Sequence, residues 1–529
     1  MNDPAGAVAV PLMLLVATLS VVARRFGVPS PMLMLVAGTA IAFVPGMPAL
    51  SLTPAVVLLW LLPPLLYSSG VGMSWRGFRS SLRAIMLLAI GLVLATASAV
   101  AVVVHYALGM PWAVGFVLGA IVSPPDAVAP IAILRALHLP RRLVTILEGE
   151  SLVNDATALV TLSFATAAVV TGTFSLASAA LQFVTILAGE IVLGIVVGWL
   201  MLRVRQLAAD ARAEVLLALA TPYIAFWPAH AAGGSGVIAC VAAGLYVSWN
   251  GRRLIRPDTR LQGYFIWDLV VWATEAVVFF LAGLQAREVF GALGDGTWTR
   301  AVVAGVLVTL AVVVVRFAWV FAATYLPRKI FPGITRANPA PGWRFTFMIA
   351  FCGLRGAVSL VAALLVPATI DGQPFPERNV VLFATYCVVV FTLVGLGSAL
   401  PAVARRLGID RVGADEAAQN AHEEQEARLS GIEAAQRFLT STPAPSAAEA
   451  RALLGDELSQ RRAMALHRRE GQCGAAEMQD VMLRLEMIGV ERAAISDAYE
   501  ANHLTDEARR RIERELDLEE ARLRQSLAR

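Results

Sequence analysis

Long apolar runs alternate with short polar connections along most of the chain. A helix that spans the hydrocarbon core of a bilayer needs roughly 20 mostly apolar residues, and thirteen runs reach or approach that length. The pattern therefore predicts an all-α polytopic membrane protein with thirteen transmembrane helices. The runs lie near residues 6–22, 31–44, 52–69, 82–108, 111–137, 142–170, 176–202, 212–229, 234–250, 264–286, 298–326, 342–368 and 379–404.

Basic residues concentrate in the connections that follow odd-numbered runs, from Arg24 and Arg25 after the first run to Arg405 and Arg406 after the thirteenth. The connections after even-numbered runs carry few basic residues, or offset them with acidic ones. Short loops rich in Lys and Arg stay on the cytoplasmic side of a membrane. We therefore expect a multi-pass protein of the cell membrane, with the N-terminus outside and the C-terminus in the cytoplasm.

The pattern changes near residue 408, where charged residues become dense and apolar residues recur at helical spacing, as in Met482, Leu485 and Ile488. This spacing is typical of amphipathic helices in water. We therefore expect two domains, a transmembrane domain over residues 1–407 and a cytoplasmic helical tail over residues 408–529.

Composition excludes the soluble classes of protein. Of the 529 residues 57% are hydrophobic and 16% are charged, and the mean hydropathy is +0.68. The net charge of +4 fits arginines on the cytoplasmic face better than a surface for nucleic acid, which we do not expect as a partner. Three of the four cysteines lie in apolar runs, which indicates neither a disulfide framework nor a zinc site.

The sixth run contains polar side chains that are expensive inside a bilayer, namely Glu150, Asn154 and Asp155. Ionisable residues at such depth are usually functional. Adjacent residues of a helix point about 100° apart, so Asn154 and Asp155 are suited to hold a small cation or a proton against a neighbouring helix.

The fifth run contains Pro124 and Pro125 directly before Asp126. Two prolines remove two backbone donors and break or kink a helix, and the ends of a broken helix can face an ion. Asp126 and Asp155 each lie roughly 20 Å from opposite membrane faces, at 1.5 Å per residue, so they can share one pocket. Burial and like charge then favour a proton on one of the two carboxyls at neutral pH. A simple proline kink without an ion site remains the alternative.

The twelfth run contains Arg355 between Gly353 and Gly356. An arginine at this depth requires a partner, and we expect it to form a buried structural ion pair with Glu150. Glu275 and Arg316 are further buried charges, which we expect to pair with each other or with the core.

Breaks in the fifth and twelfth runs also indicate internal symmetry. If the seventh run is a linker, runs 1–6 and 8–13 form two six-helix repeats of inverted topology. Broken helices in equivalent positions of inverted repeats are typical of a transporter binding site. We therefore expect helices 5 and 12 to be broken and to cross.

These segments resemble the sodium/proton antiporters of the monovalent cation/proton antiporter-1 family, the bacterial relatives of animal sodium/proton exchangers. The resemblance covers roughly residues 1–405. It rests on four motifs: Leu62-Pro63-Pro64-Leu65-Leu66, Ser123-Pro124-Pro125-Asp126-Ala127-Val128-Ala129, Gly149-Glu150-Ser151-Leu152-Val153-Asn154-Asp155-Ala156, and Gly353-Leu354-Arg355-Gly356-Ala357-Val358.

The resemblance implies thirteen helices, a homodimer, and a six-helix core that moves against a dimerisation domain. It implies that Asp155 carries the ion, with Asp126, Ser151 and Asn154 around it, and that Asp126, Ser151 and Asp155 bind Na⁺. Glu150 and Arg355 match the structural ion pair of the family. Asn154 stands where electrogenic relatives carry a second acid, which implies electroneutral exchange.

Two positions depart from the family pattern. Ser68 stands where many members carry Glu or Asp, and Pro125 stands where some carry Thr. The departures reduce the number of carboxylate ligands and so bear on the choice among sodium, lithium and potassium.

We therefore expect a secondary active antiporter, not an enzyme, that exchanges a monovalent cation, preferentially Na⁺, for H⁺ in pH homeostasis. Its partners are then the two ions and the lipid bilayer, and we expect no cofactor. The alternatives are a potassium/proton antiporter on the same scaffold, a cation channel, and a membrane-anchored sensor that signals through its tail.

Overall fold

The structure is a computed structural model that describes residues 4–45, 56–134, 137–173, 175–208, 210–294, 296–370, 372–441, 448–469, 475–501 and 506–527. It divides into two compact units, Met1–Ala414 and Asp415–Arg529. The division falls inside a helix, slightly beyond the boundary expected at residue 407.

Regular structure in the described part of the first unit is helical, apart from a short antiparallel hairpin of β1 (Thr369–Ile370) and β2 (Gln373–Pro374). The helices are α1 (Pro4–Phe26), α2 (Ser30–Ala42), α3 (Val57–Gly72), α4 (Trp75–Leu108), α5 (Trp112–Val122), α6 (Val128–Leu134), α7 (Arg141–Thr171), α8 (Leu176–Leu207), α9 (Ala211–Ala231), α10 (Val237–Leu254), α11 (Pro257–Leu284), α12 (Ala286–Gly291), α13 (Trp298–Ile330), α14 (Pro332–Ala337), α15 (Trp343–Phe351), α16 (Ala357–Leu364), α17 (Arg378–Leu407) and the start of α18 (Ile409–Ser441).

Prolines and glycines set several helix ends. Pro111 and Pro140 directly precede α5 and α7, where a missing backbone donor costs nothing. Gly109 and Gly172 follow α4 and α7 with φ of +65° and +69°, a left-handed conformation that glycine adopts without strain. The connections therefore turn sharply and leave the apolar runs intact as helices.

Six helices within the described ranges are long and apolar enough to cross a membrane. They include α4, α7, α8, α13 and α17, and the sixth spans Thr259–Gly291. Four shorter apolar helices lie in α2, α3, α5 and α10. The membrane-spanning architecture is thus present, while the count of thirteen transmembrane helices stays a prediction.

The apolar core forms two clusters, and α7 contributes to both. Leu143 and Leu162, near its two ends, pack in a cluster built largely from α2, α4, α5, α11, α13 and α17. Leu152 and Ala156, near its middle, pack in a cluster built largely from α3, α8, α9 and α10. The middle of α7, which carries Asp155, therefore lies where the two clusters meet.

Glycines bring pairs of helices into close backbone contact, as small residues do in membrane bundles. Gly38 and Gly283 join α2 to α11, and Gly70 and Gly244 join α3 to α10. A Cβ at Gly70 would lie 2.8 Å from the carbonyl oxygen of Val241, so no larger residue fits without movement.

Glu190 ties α8 to the beginning of α10. Its buried carboxylate accepts hydrogen bonds from the backbone N–H groups of Ser235 (2.5 Å), Gly236 (2.9 Å) and Ile238 (2.9 Å). It also accepts from the Ser235 hydroxyl. A negative charge at a helix N-terminus satisfies free donors and complements the helix dipole.

The first turns of α18 belong to the first unit. Gly413 is buried against the carbonyl oxygen of His138, in the connection between α6 and α7, and a Cβ there would overlap that oxygen. This contact fixes the beginning of α18 next to the loop that joins two site-bearing segments.

The second unit contains the rest of α18 together with α19 (Ala448–Arg469), α20 (Ala475–Glu500) and α21 (Asp506–Leu527). Charged side chains link its helices. Arg492 of α20 contacts Asp517 and Glu520 of α21 at 2.5 Å each. Hydrogen bonds from Arg524 and Arg492 hold the pKa of Glu520 below its usual value.

Candidate functional site

The predicted break in the fifth run is confirmed. Helix α5 ends at Val122 and α6 begins at Val128, with Pro124 and Pro125 in the nonhelical segment between them. The Asp126 carboxylate accepts a hydrogen bond from the backbone N–H of Val128 at 2.9 Å. Asp126 therefore caps α6 with one oxygen, which leaves lone pairs of its carboxylate for another ligand.

The predicted break in the twelfth run is also confirmed, since α15 ends at Phe351 and α16 begins at Ala357. The two breaks are hydrogen-bonded to each other in both directions. The backbone N–H of Asp126 donates to the carbonyl oxygen of Leu354 at 2.8 Å, and the Arg355 guanidinium donates to the carbonyl oxygen of Ser123. The two broken segments thus contact and hold each other.

Gly356 permits this close contact. A Cβ at Gly356 would lie 2.7 Å from the Asp126 Cβ and 2.8 Å from its Oδ2. The Arg355 backbone N–H donates to the Thr392 hydroxyl of α17 at 3.0 Å, which anchors the second break. The carboxylate of Asp126 therefore lies directly against the backbone of the opposite break.

The amide of Asn154 joins α7 to the first break. Its Nδ2 donates to the carbonyl oxygen of Pro125 at 2.7 Å, and the residue has no exposed surface. Its Oδ1 is buried and has no partner among the described residues. Asn154 therefore satisfies a carbonyl freed by the break and presents an acceptor next to it.

Asp155 is the available carboxylate of the group. It is 8% exposed, and within the described ranges no hydrogen bond or ion pair reaches it. The charge of Asp126 lies within electrostatic reach of it. Ser151 is half-buried and four residues before Asp155, hence on the same face of α7. The structure thus brings Asp126, Asn154 and Asp155 together and puts Ser151 one turn away.

The predicted ion pair between Glu150 and Arg355 is wrong, because Glu150 pairs with Arg316 of α13. The guanidinium of Arg316 contacts both carboxylate oxygens, at 2.7 and 3.2 Å, and each side chain is only 2% exposed. Arg316 also donates to the carbonyl oxygens of Ala350 and Ile349 at 3.0 Å each.

Arg316 has this role because α15 ends inside the helix bundle, at Phe351, and leaves carbonyls without helical partners. Gly353 leaves room for its side chain. Arg355 instead donates to Ser123, and its Nε and Nη2 are buried without a partner in the described structure. Of the two alternatives for Arg316, pairing with Glu275 or with the core, the structure shows the second, because its partner is Glu150.

The arrangement suits a small cation or a proton. Two carboxylates and the side-chain carbonyl oxygen of Asn154 supply oxygen atoms, which bind hard cations. Among the described residues no three His, Cys, Asp or Glu side chains gather as a metal cluster. A single unengaged carboxylate at the centre gives the site one position at which a cation and a proton exclude each other.

This chain is similar to known proteins over the part that contains the candidate site. A family profile described as "Sodium/hydrogen exchanger, transmembrane" matches residues 12–406. An uncharacterized Na⁺/H⁺ exchanger of Mycobacterium tuberculosis is 34% identical over 522 residues, which covers 95% of this chain and 93% of that protein. A sodium, potassium, lithium and rubidium/H⁺ antiporter of Bacillus subtilis is 33% identical over 405 residues, 74% of this chain and 60% of that protein.

A solved structure shares the fold. The sodium proton antiporter MjNhaP1 from Methanocaldococcus jannaschii at pH 8 matches with a TM-score of 0.61 and 19% sequence identity. The match covers 76% of this chain and 98% of that structure.

Proposed function

Because this chain belongs to the sodium/hydrogen exchanger family, we propose that it works as a secondary active antiporter whose exchange of sodium for protons is carried by Asp155. The observation that carries this assignment is the unengaged Asp155 carboxylate, 8% exposed, beside the contact between two broken helices. An ionisable group at the middle of a membrane helix is retained for function.

In the proposed cycle, protonation of Asp155 releases the cation, and binding of the cation expels the proton. Asp126 and Ser151 supply further oxygen ligands for Na⁺. Asn154 fixes the first break through its bond to Pro125. It therefore holds Asp126 of the fifth run at a constant position relative to Asp155 of the sixth. No enzyme chemistry or cofactor is needed for this cycle.

We further propose that the exchange is electroneutral. Asn154 is neutral and already donates to a backbone carbonyl. One titrating carboxylate beside it then exchanges one proton for one monovalent cation.

Alternating access follows if the helices form two inverted repeats, α1–α7 and α9–α17, with α8 as a linker. The packing supports this proposal, because α2 packs on α11 while α3 packs on α10. Helices α2 and α10 are the second helices of the two repeats, and α3 and α11 are the third. Each contact therefore joins the second helix of one repeat to the third helix of the other, as a twofold relation between the repeats requires. The site lies at the crossing of equivalent broken helices, as in other transporters of inverted repeats.

The proposed orientation has the N-terminus outside and the tail in the cytoplasm, in a homodimer within the cell membrane. The arginine distribution supports the orientation. Helix α8 carries strongly exposed apolar residues such as Leu181 and Val192, which require lipid or a second copy around them.

A second candidate is exchange of several alkali cations, including potassium. The printed name of the Bacillus subtilis relative includes potassium, lithium and rubidium. Ser68 supplies a neutral hydroxyl, already donating to the Leu65 carbonyl at 2.9 Å, where many members have a carboxylate. The number of ligands and their charge tune how a site binds and selects cations, so the absence of this carboxylate bears on the preference for Na⁺.

The test is a pH-gradient assay in proteoliposomes, with sodium, lithium and potassium added in turn. We expect Asp155→Asn to abolish exchange while the protein still folds, because an amide cannot alternate between proton and cation. Asp210→Asn is the matched control, since Asp210 is exposed and caps nothing at the start of α9. Exchange at the wild-type rate in Asp155→Asn would refute the assignment.

A further inference from the structure

Three arginines from three different helices converge at one end of the bundle. They are Arg83 of α4, Arg142 in the first turn of α7, and Arg328 in the last turn of α13. Arg142 donates to the Asn338 side-chain oxygen at 3.0 Å, and Arg328 donates to the Asn338 carbonyl oxygen at 3.1 Å. The charges of Arg83 and Arg142 act directly on Arg328.

The segments that carry this arginine cluster contain no acidic residue. Residues 74–92, 137–147 and 320–346 hold no Asp or Glu, and six further Lys or Arg residues add positive charge there. A preference for basic residues on one membrane side accounts for arginines in each connection. It does not account for two guanidiniums that bond to one asparagine, with the charge of Arg83 acting on Arg328 beside them, where they repel one another.

Aromatic residues place the cluster at the level of lipid headgroups. Trp75 begins α4 and Trp343 begins α15, and tryptophan is enriched where a membrane meets water. The Arg344 guanidinium lies 5.9 Å from the centre of the Trp343 ring. Lipid phosphates occupy this level, and guanidinium groups bind phosphate oxygens through paired charge-assisted hydrogen bonds.

We propose that Arg83, Arg142 and Arg328 bind the phosphate of an anionic lipid headgroup. The anion offsets the repulsion among the three guanidiniums and ties together the ends of α4, α7 and α13. Helix α7 carries Asp155, and α13 carries the Arg316 that holds Glu150. An anionic lipid therefore stabilises the protein and raises the rate of exchange, the latter effect resting on the proposed function.

The binding test uses the purified full chain in detergent and needs no transport. Thermal unfolding is followed with added phosphatidylglycerol, phosphatidylcholine or inorganic phosphate. The variant Arg83→Gln with Arg142→Gln removes two charges and keeps Arg328, whose bonds hold Asn338 and Thr324. The variant Arg24→Gln with Arg25→Gln is the matched control, since both arginines are exposed at the end of α1.

We expect phosphatidylglycerol to raise the Tm of the wild type and the control more than phosphatidylcholine does, and the cluster variant to lose most of that difference. An equal rise in the cluster variant would overturn the site. An equal rise with inorganic phosphate would overturn its assignment to a lipid.

The transport test compares exchange rates in vesicles of phosphatidylcholine alone with rates in vesicles that also contain phosphatidylglycerol. The ratio should exceed one for the wild type and the control and fall toward one for the cluster variant. Exchange absent from every vesicle would refute the proposed function and leave the binding result standing. If phosphatidylglycerol raised the exchange rate of the cluster variant as much as that of the wild type, the proposed effect of the site on exchange would be refuted.

Discussion

The Glu150–Arg316 pair is a fully desolvated charge pair, with both side chains 2% exposed. Breaking such a pair strands one charge in the interior, at a cost of about 3–5 kcal/mol. We expect Arg316→Ala and Glu150→Ala each to lower the Tm and the yield of folded protein. Thermal unfolding in detergent measures this loss.

A double-mutant cycle identifies the partner. The loss in Glu150→Ala with Arg316→Ala should be well below the sum of the single losses, because neither charge is then left alone. Glu150→Ala with Arg355→Ala should show the smaller coupling, since Arg355 bonds to Ser123 instead. A larger coupling energy between Glu150 and Arg355 than between Glu150 and Arg316 would support the ion pair expected from the sequence.

The sequence predicted that Asp126 and Asp155 lie together in the candidate site, but it did not predict the partner of Glu150. Asp126 and Asp155 were predictable because a charge in an apolar run has few explanations, and their depths matched. Arg316 and Arg355 both lie deep in apolar runs, so depth did not distinguish them as partners. What distinguishes them is the set of free carbonyls at the end of α15, which Arg316 also bonds. These free carbonyls can be identified only when the residue at which α15 ends is known, and the sequence does not give that residue.

Glu190 of α8 caps the N-terminus of α10. Its carboxylate accepts from three backbone N–H groups at the start of α10. Glu190→Gln replaces one acceptor oxygen by a donor that faces backbone donors. We expect a loss of about 1–3 kcal/mol, the typical cost of leaving a buried polar group unsatisfied.

Hydrogen exchange should localise this loss to the turn before α10 and the first turn of the helix. Glu288→Gln, in an exposed position of α12, is the matched control and should leave the Tm unchanged. Unaltered protection of Gly236 and Ile238 in Glu190→Gln would contradict the capping role.

Most helices could be predicted from the sequence, since the apolar runs gave their approximate positions. Two prolines marked the break in the fifth run, and two glycines marked the break in the twelfth. The π-helical turns at Leu87–Leu92 and Phe391–Leu396 could not be predicted, because an extra residue in a turn leaves the apolar pattern unchanged. The bond from Glu190 to α10 was missed for a related reason. A capping carboxylate that lies 45 residues before the turn whose N–H groups donate to it leaves no local motif.

For the molecule as a transporter, one carboxylate that takes either ion makes proton and cation competitors. On the acid limb the apparent Km for the cation should rise about tenfold per pH unit if one proton displaces one cation. At high pH protons become scarce for the return step, so the rate should pass through a maximum. Cation titrations in proteoliposomes at several symmetric pH values measure both effects.

The same vesicles test the charge balance when the membrane potential is clamped. A Km that does not vary with pH would refute a shared carboxylate. A rate that follows the clamped potential would count against electroneutral exchange.

The second unit holds none of the proposed ion ligands, and it is compact by itself. A protein truncated before Asp415 should therefore insert and exchange, with a shifted pH profile or maximal rate. Such a truncation keeps Gly413 and its contact with His138. Complete loss of transport in the properly inserted truncation would show that the tail belongs to the catalytic unit.

The contact of Gly413 with His138 has a thermodynamic consequence. The loop that it touches joins α6, which Asp126 caps, to α7, which carries Asp155. Coupling between two sites is reciprocal in free energy. A molecule that binds the tail and displaces the start of α18 must then gain or lose affinity by the same factor by which it alters cation affinity. If displacement of the start of α18 changes cation affinity, then cation binding must change the affinity of the tail for that molecule by the same factor.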